Sequence, residues 1–270
     1  MIFGRRRKAA AQDPTTGPEE TRQDDLEEPT GADETDPAAA GDEDAGTGST
    51  DWAALDRSRN WREDGPFDIT EVDLDADDVE RIDLGALVIT PHPGMELRLQ
   101  VAQDTGKVVA VMVTVGQSAL ELAVFAAPRS GGLWAEIREE VLESTRRQQG
   151  RASLVEGPYG TELRRLVPVR TPDGQQGYQP SRTWAAEGPR WLLRGVVYGQ
   201  AALVEDLSAP ADEVHEIFAG CVVRRGEQAI AAGDVVAMTM PEGMTPRRPQ
   251  PLAPQTPDGP PPGTGTATVG

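Results

Sequence analysis

Between Met95 and Val101 apolar residues fall on alternate positions, with Leu97, Leu99 and Val101 on one side and Glu96, Arg98 and Gln100 on the other. A period of two is the mark of a strand with one buried and one solvated face. The turn residues Asp104, Thr105 and Gly106 then lead into VVAVMVTV (108–115), apolar on both faces, which predicts a strand covered on both sides inside a sheet. After Gly116, ALELAVFA places Leu120, Leu122 and Val124 on one face. Three strands joined by short turns predict an antiparallel meander. Upstream, IDLGALVIT (82–90) reads as a further single strand.

After Gly131-Gly132 the spacing changes to three and four. Leu133, Trp134, Ile137, Val141 and Leu142 form one helical stripe, and Arg146 and Arg147 suit the last turn before Gly150. Strand patterns return in TELRRLVPVR (161–170), in GYQPSRTWAA (177–186) and in GPRWLLRGVVYGQAA (188–202). Pro168 and Pro180 cannot donate to a ladder, which places them toward a sheet edge or at bulges. A last helix is expected from about Pro210, with Asp212 and Glu213 in its first turn and Val214, Ile217, Phe218 and Cys221 along one face; VVRR then gives a short final strand. The order is three strands, helix, three strands, helix. It predicts an α+β domain in which helices pack on a largely antiparallel sheet of two meanders.

The stretch before the sheet holds the first large anchors, Trp52, Leu55, Trp61 and Phe67, and is expected to dock on the domain. In EVDLDADDVE, Asp73, Asp75 and Asp77 imitate the start of a calcium loop. Asp78 and Leu84 stand where that loop needs Gly and Glu, so a solvated acidic loop is the better account.

Composition divides the chain. Residues 1–80 carry 24 of the 45 acids and 8 of the 26 bases, so most of the net charge of -19 belongs to the N-terminal side. Between Asp13 and Asp51 there are fourteen acids, one Arg and a single large aliphatic residue, Leu26. Such a segment cannot bury enough apolar surface to offset roughly 1–2 kcal/mol of backbone entropy per ordered residue, and disorder is expected. Residues 245–270, built largely from Pro, Gly, Thr and Gln, are expected to form a second flexible tail. The expected division is therefore a disordered tail over 1–51, one domain over 52–244 and a tail over 245–270.

One cysteine, Cys221, excludes an intrachain disulfide and a thiolate metal cage. No apolar run reaches the roughly 18 residues of a membrane span, and MIFGRRRKAAAQ lacks the apolar stretch of a secretory signal. A cytoplasmic location is expected. The tip, with Arg5, Arg6, Arg7 and Lys8 beside Ile2 and Phe3, has the chemistry to touch anionic lipid, but the acidic run a few residues on answers its charge and disfavours that contact. The overall charge disfavours nucleic acid as a partner as well.

No catalytic motif is present. There is no phosphate loop, since neither GxxxxGK[ST] nor GxGxxG follows a strand and opens a helix, and Ser118 and Ser153 sit in no GxSxG elbow. His92, in TPHPG, and His215, between acids on the last helix, read as surface or capping residues, and Cys221 as a small core residue. No cofactor is implied.

What remains is the arginine inside the most apolar stretch. Alternation puts Trp191, Leu193, Gly195, Val197 and Gly199 on one face, a core face whose glycines admit a close helix, and Arg190, Leu192, Arg194, Val196 and Tyr198 on the other. In a structural reading Arg194 lies over the sheet and pairs with Glu162 or Glu187 from an adjacent strand. In a functional reading Arg190, Arg194 and Tyr198, joined by Arg182 and Arg164 from neighbouring strands, form a concave surface of donors for an anionic ligand or partner. Strand arginines are usually paired, which favours the first; the clustering of Arg where acids are few keeps the second open.

GPFDITEV (65–72), RIDLGALVI (81–89) and GPRWLLRGVVYGQAA (188–202) resemble, in order, the recurring segments of an actinobacterial family, domain of unknown function 3710. The resemblance spans about residues 57–244 and implies a cytoplasmic protein of high-GC Gram-positive bacteria; it brings no catalytic residue. By analogy of fold alone, the element order is similar to the Mog1/PsbP-like architecture, and such analogy carries no function. The expectation is a non-enzymatic binding or adaptor domain whose partner is another protein, with an enzyme or small-molecule anion site on the Arg-rich sheet face as the alternative.

Overall fold

The computed structural model describes residues 4–5, 50–171 and 173–240. The expected tails over 1–51 and 245–270 lie outside the described residues, apart from Gly4, Arg5, Thr50 and Asp51. In chain order come β1 (Gly4–Arg5), α1 (Trp52–Arg57), β2 (Phe67–Asp68), β3 (Val72–Asp73), β4 (Ile82–Asp83) and β5 (Leu87–Ile89). Next are β6 (Glu96–Val101), β7 (Val108–Val115), β8 (Ser118–Ala126), α2 (Leu133–Arg147), β9 (Arg151–Gly157) and β10 (Gly160–Arg170). The chain continues through β11 (Gln176–Gly188), β12 (Trp191–Gly199), a short 3-10 turn (Gln200–Ala202), α3 (Ala211–Ala219) and β13 (Val222–Val223). This is an α+β fold. Among the described residues no helix is long and apolar enough to cross a membrane.

The large sheet has seven antiparallel strands in the order β6-β7-β8-β12-β11-β10-β9. The two meanders are one sheet because β12 pairs with β8, Arg194 opposite Ala123. This puts the most apolar stretch of the sequence at the middle of seven strands, with Trp191, Leu193 and Val197 buried on one face and Leu192 and Val196 on the other, where Arg194 and Tyr198 stay partly exposed. The second meander has four strands rather than the expected three. The additional one, β9, pairs with β10 through Arg151 opposite Leu166 and forms an edge; its weak alternation, Ala152 and Leu154 turned toward α2, is a strand signal diluted by polar neighbours.

Pro168 and Pro180 sit in interior strands, but at a level where the outer neighbours have stopped. β9 pairs no further than Leu166 and β12 no further than Arg182, so the end of the β10–β11 hairpin projects as a two-stranded ribbon with Pro168 opposite Tyr178. Prolines are tolerated there because their missing N–H faces no strand.

IDLGALVIT is not one strand. Asp83 accepts from Gly85 N through Oδ1 at 2.7 Å, Gly85 takes φ +74°, and Leu84 N donates to Leu87 O at 2.8 Å, folding the segment into the β4–β5 hairpin. These strands join β13 and β2 in a small sheet, β2-β13-β5-β4, in which only β2 and β13 run parallel.

The small sheet and α3 cover one face of the large sheet. Leu87, Ile89, Ile217, Phe218 and Val223 meet Leu120, Leu122, Val124, Leu193 and Val197 there. On the opposite face α2 lays Leu133, Trp134 and Leu142 against Ala123, Phe125, Leu163, Ala185 and Leu192. The segment before the sheet docks as its aromatic anchors predict: Asp56 forms an ion pair with Arg138 of α2 and accepts from Thr161 N at 2.8 Å, and Arg62 donates to Glu187 O at 3.0 Å. In the acidic loop the Asp77 carboxylate accepts two bonds from Arg81, both 2.8 Å, and this holds its carboxyl below the usual range.

Candidate binding face

Strand register sorts the five expected site residues into three places. Arg182 stands opposite Val197, and Arg164 stands opposite Arg182, so both share the α3 face with Trp191 and Leu193. Arg194 stands opposite Ala185 and Ala123, so it shares the α2 face with Tyr198. Arg190 lies in the turn between β11 and β12 with φ +64°, exposed, its carbonyl accepting from Ala127 N at 2.9 Å. The single concave donor surface expected from the sequence therefore does not form. A sheet has two faces, and the β11–β12 register sends Arg182 to the face opposite Arg194.

On the α3 face Arg182 and Arg164 are occupied by Glu162. Its Oε1 accepts from Arg182 Nε at 2.8 Å and Arg164 Nε at 2.8 Å; its Oε2 accepts from Arg182 Nη2 at 2.9 Å and Trp184 Nε1 at 2.8 Å. Arg182 Nη1 reaches the carbonyls of Val204 and Asp206 at 3.0 and 2.7 Å, and Arg164 Nη2 that of Glu205. These arginines strap residues 204–206 onto the sheet. Beside them Tyr159, Trp184, His215 and Phe218 form an aromatic cluster, with Tyr159 stacked on His215 at 5.5 Å between ring centres and its hydroxyl 3.1 Å from His215 Nε2. Burial, then the Arg182 charge, lowers the His215 pKa; burial, then Cys221, raises that of Tyr159 well above its ordinary value. His215 is thus half-buried in a cluster, not the surface or capping residue its acidic neighbours suggested.

The α2 face is open over half its width. The helix packs chiefly on β9, β10 and β11, leaving Gln100, Met112, Thr114, Ala119, Glu121, Arg194 and Tyr198 partly exposed on β6, β7, β8 and β12. Ala110, Ala123 and Ala185 floor this area. Across it runs a polar chain: Gln100 Nε2 donates to Glu121 Oε2 at 3.0 Å, and Arg194 Nη2 to Glu121 Oε1 at 3.3 Å. The Arg194 guanidinium lies 5.1 Å from the Phe125 ring centre, and its Nε is buried with no acceptor. Tyr198 is half-buried beside Glu121, and desolvation followed by that carboxylate raises its hydroxyl pKa.

The partner of Arg194 is therefore Glu121, not Glu162 or Glu187. Glu187 instead turns to α2, accepting from Gly132 N at 2.8 Å and Trp134 N at 2.7 Å. Glu121 and Gln100 escaped sequence reasoning because nothing local says that β8 lies beside β12; the one signal was an acid on the polar face of an otherwise apolar strand. Elsewhere, Cys221 is fully buried just beyond α3, donates to Ile217 O at 3.3 Å, and has its thiol pKa pushed well up by burial. His92 lines a surface depression of about 320 Å³ with Thr90, Pro91, Pro93, Glu216 and Ile217, its Nε2 3.8 Å from Glu216.

Fold and site together define an α+β domain built on a seven-stranded antiparallel sheet, one face closed by a helix and a second sheet, the other half open. The family model described as Protein of unknown function (DUF3710) matches residues 65–247, and the chain belongs to that family. No curated protein matches the chain. Among solved structures it is similar to a protein from Bacteroides thetaiotaomicron, at 15% identity and TM-score 0.31, over 53% of this chain and 47% of that one. It is also similar to the cyanobacterial PsbP protein (CyanoP) of Synechocystis sp. PCC 6803, at 9% identity and TM-score 0.30, over 54% of this chain and 92% of that one.

Proposed function

We propose that this domain is a non-enzymatic binding or adaptor module and that another protein docks on the open half of the α2 face. The observation that carries the reading is the state of Arg194 and Tyr198: both are partly exposed on β12, Arg194 near its middle and Tyr198 next to its end, beside a floor of alanines, with Arg194 paired to Glu121 at 3.3 Å. Arg and Tyr, partly exposed on a sheet face, are residue types that anchor protein interfaces. The chemistry of the nucleophile and base candidates also supports a module without catalysis. The Cys221 thiol is buried and poorly acidic, and His215 is hydrogen-bonded within an aromatic cluster. The reading assumes a cytoplasmic protein of actinobacterial origin, as the sequence resemblance implies.

The test places a photo-crosslinking amino acid at Thr114, on the open face, or at Glu139, on the outer side of α2, in the full chain in its own cells. A discrete crosslinked partner from Thr114, absent from Glu139 and lost when Arg194→Gln is added, supports the reading. The same products from both positions, or none from Thr114, would overturn it.

A further inference from the structure

β6 and β9 are the two edges of the large sheet. An edge strand carries backbone N–H and C=O groups with no ladder partner, and a monomer usually blunts it with Lys, Pro, a bulge or a covering segment. β6 has little of this. Residues 95–101 hold no Lys and no Pro, and the register with β7 shifts only between Gln100 and Val101. Among the described residues no strand pairs along the outer side of β6.

Pairing with β7 fixes the faces of this edge. Glu96 stands opposite Thr114 and Arg98 opposite Met112, on the open side; Leu97 stands opposite Val113 and Leu99 opposite Val111, on the α3 side. Glu96 and Arg98 are exposed, with Arg98 Nη2 3.6 Å from Glu96 Oε2. Met95, Leu97 and Leu99 pack against the core yet stay only partly buried, because the sheet ends beside them. The edge therefore offers three things in one place: free backbone groups, a half-covered apolar row, and an acid and a base two residues apart on the other face.

We propose that β6 docks antiparallel on β6 of a second copy of this chain, with Leu97 on the two-fold axis. Such an axis stands perpendicular to the sheet, and residues opposed across it share a face. Centred on Leu97, Met95 meets Leu99 of the second copy on the apolar face, and each completes the cover of the other. On the polar face Glu96 meets Arg98 of the second copy, and Arg98 meets its Glu96, so two cross-strand ion pairs form. Centring on Arg98 would instead oppose the two arginines. The other edge allows no such match: Arg151 and Glu156 of β9 stand opposite Leu166 and Thr161, on different faces, so no two-fold register opposes them. The net charge of -19 resists association, but at physiological salt that repulsion is screened beyond about 8 Å. The dimer does not involve Arg194 and stands without the sheet-face reading.

The test is sedimentation equilibrium of the full chain at physiological salt, over roughly 1–200 µM because a ladder this short makes a small interface. A monomer–dimer equilibrium is expected. Arg98→Glu and Glu96→Arg, each with an unchanged circular dichroism spectrum, should each weaken the dimer about tenfold or more, since each opposes like charges twice. An equimolar mixture of these two variants should regain dimer, because every opposed pair is then complementary, and so should the double variant that carries both changes. Arg129→Glu and Glu139→Arg, which change the net charge equally but lie away from β6, should dimerise as the wild type does. A wild-type chain that stays monomeric throughout, charge variants no weaker than these controls, or a mixture that fails to regain dimer would overturn the proposal.

Discussion

Glu162 and Arg182 form a two-bond ion pair across β10 and β11, Oε1 to Nε at 2.8 Å and Oε2 to Nη2 at 2.9 Å, with the residues 1% and 2% exposed. Removing two charges from water is costly, and the pair stands because its remaining valences are filled: Trp184 and Arg164 donate to the carboxylate, and the guanidinium reaches two carbonyls of the 204–206 strap. Arginines that the sequence offered as ligand donors here fasten a loop to a sheet.

Arg182→Met should therefore destabilise the protein by about 3–5 kcal/mol, because it leaves a buried carboxylate with fewer partners. Adding Glu162→Leu should recover much of that loss, since the stranded charge is gone. Urea denaturation of the wild type, both single variants and the double variant measures the coupling. Losses that simply add would show that the pair is not coupled.

Glu187 caps α2 from a strand more than fifty residues away, both oxygens accepting from the first amides of the helix. Gly132 at the N-cap has no side chain to do this. Glu187→Ala should cost about 0.5–2 kcal/mol, as loss of a helix cap does. Hydrogen exchange should quicken at the first turn of α2 while its last turn keeps the wild-type rate.

His215 makes stability depend on pH. Its folded pKa lies below its ordinary value through desolvation, then repulsion from Arg182, with Glu216 opposing. The unfolded chain, titrating near 6.5, then binds more protons than the folded chain in the window below that pH. The His215 contribution is accordingly full above about pH 6.5 and is lost as pH falls through the depressed folded pKa. The melting temperature should drop as pH falls below about 6.5, and by less in His215→Gln. A His92→Gln variant with an equally shallow profile would point to the wrong histidine.

Much of the architecture is legible in one dimension. Alternation and, for β7, a continuous apolar run located β6, β7, β8, β10, β11 and β12, and spacing of three and four located α2 and α3. The core face of β12 holds through Trp191, Leu193, Gly195 and Val197, but Gly199, expected on it, is exposed at the end of the strand. Gly195 sits there where a helix approaches, and a Cβ at that position would lie 2.6 Å from the Phe218 ring of α3. Two local signals misled. Alternation in IDLGALVIT hid a hairpin closed by Asp83 and Gly85, and the polar residues of RASLVEG diluted β9.

By itself the sequence determined which segments are strands or helices and which side chains share a face of each, because both depend on backbone periods repeated within a few residues. It determined as well that Arg194 stands on the polar side of the most apolar strand. Only the tertiary structure decided that β8 pairs with β12, that Arg182 falls opposite Val197, and hence that Glu121 holds Arg194 while Glu162 holds Arg182 and Arg164. The Glu121–Arg194 pair alone joins residues 73 positions apart. The pairings are fixed by the burial of two sheet faces at once, a condition on the whole domain that no local pattern carries.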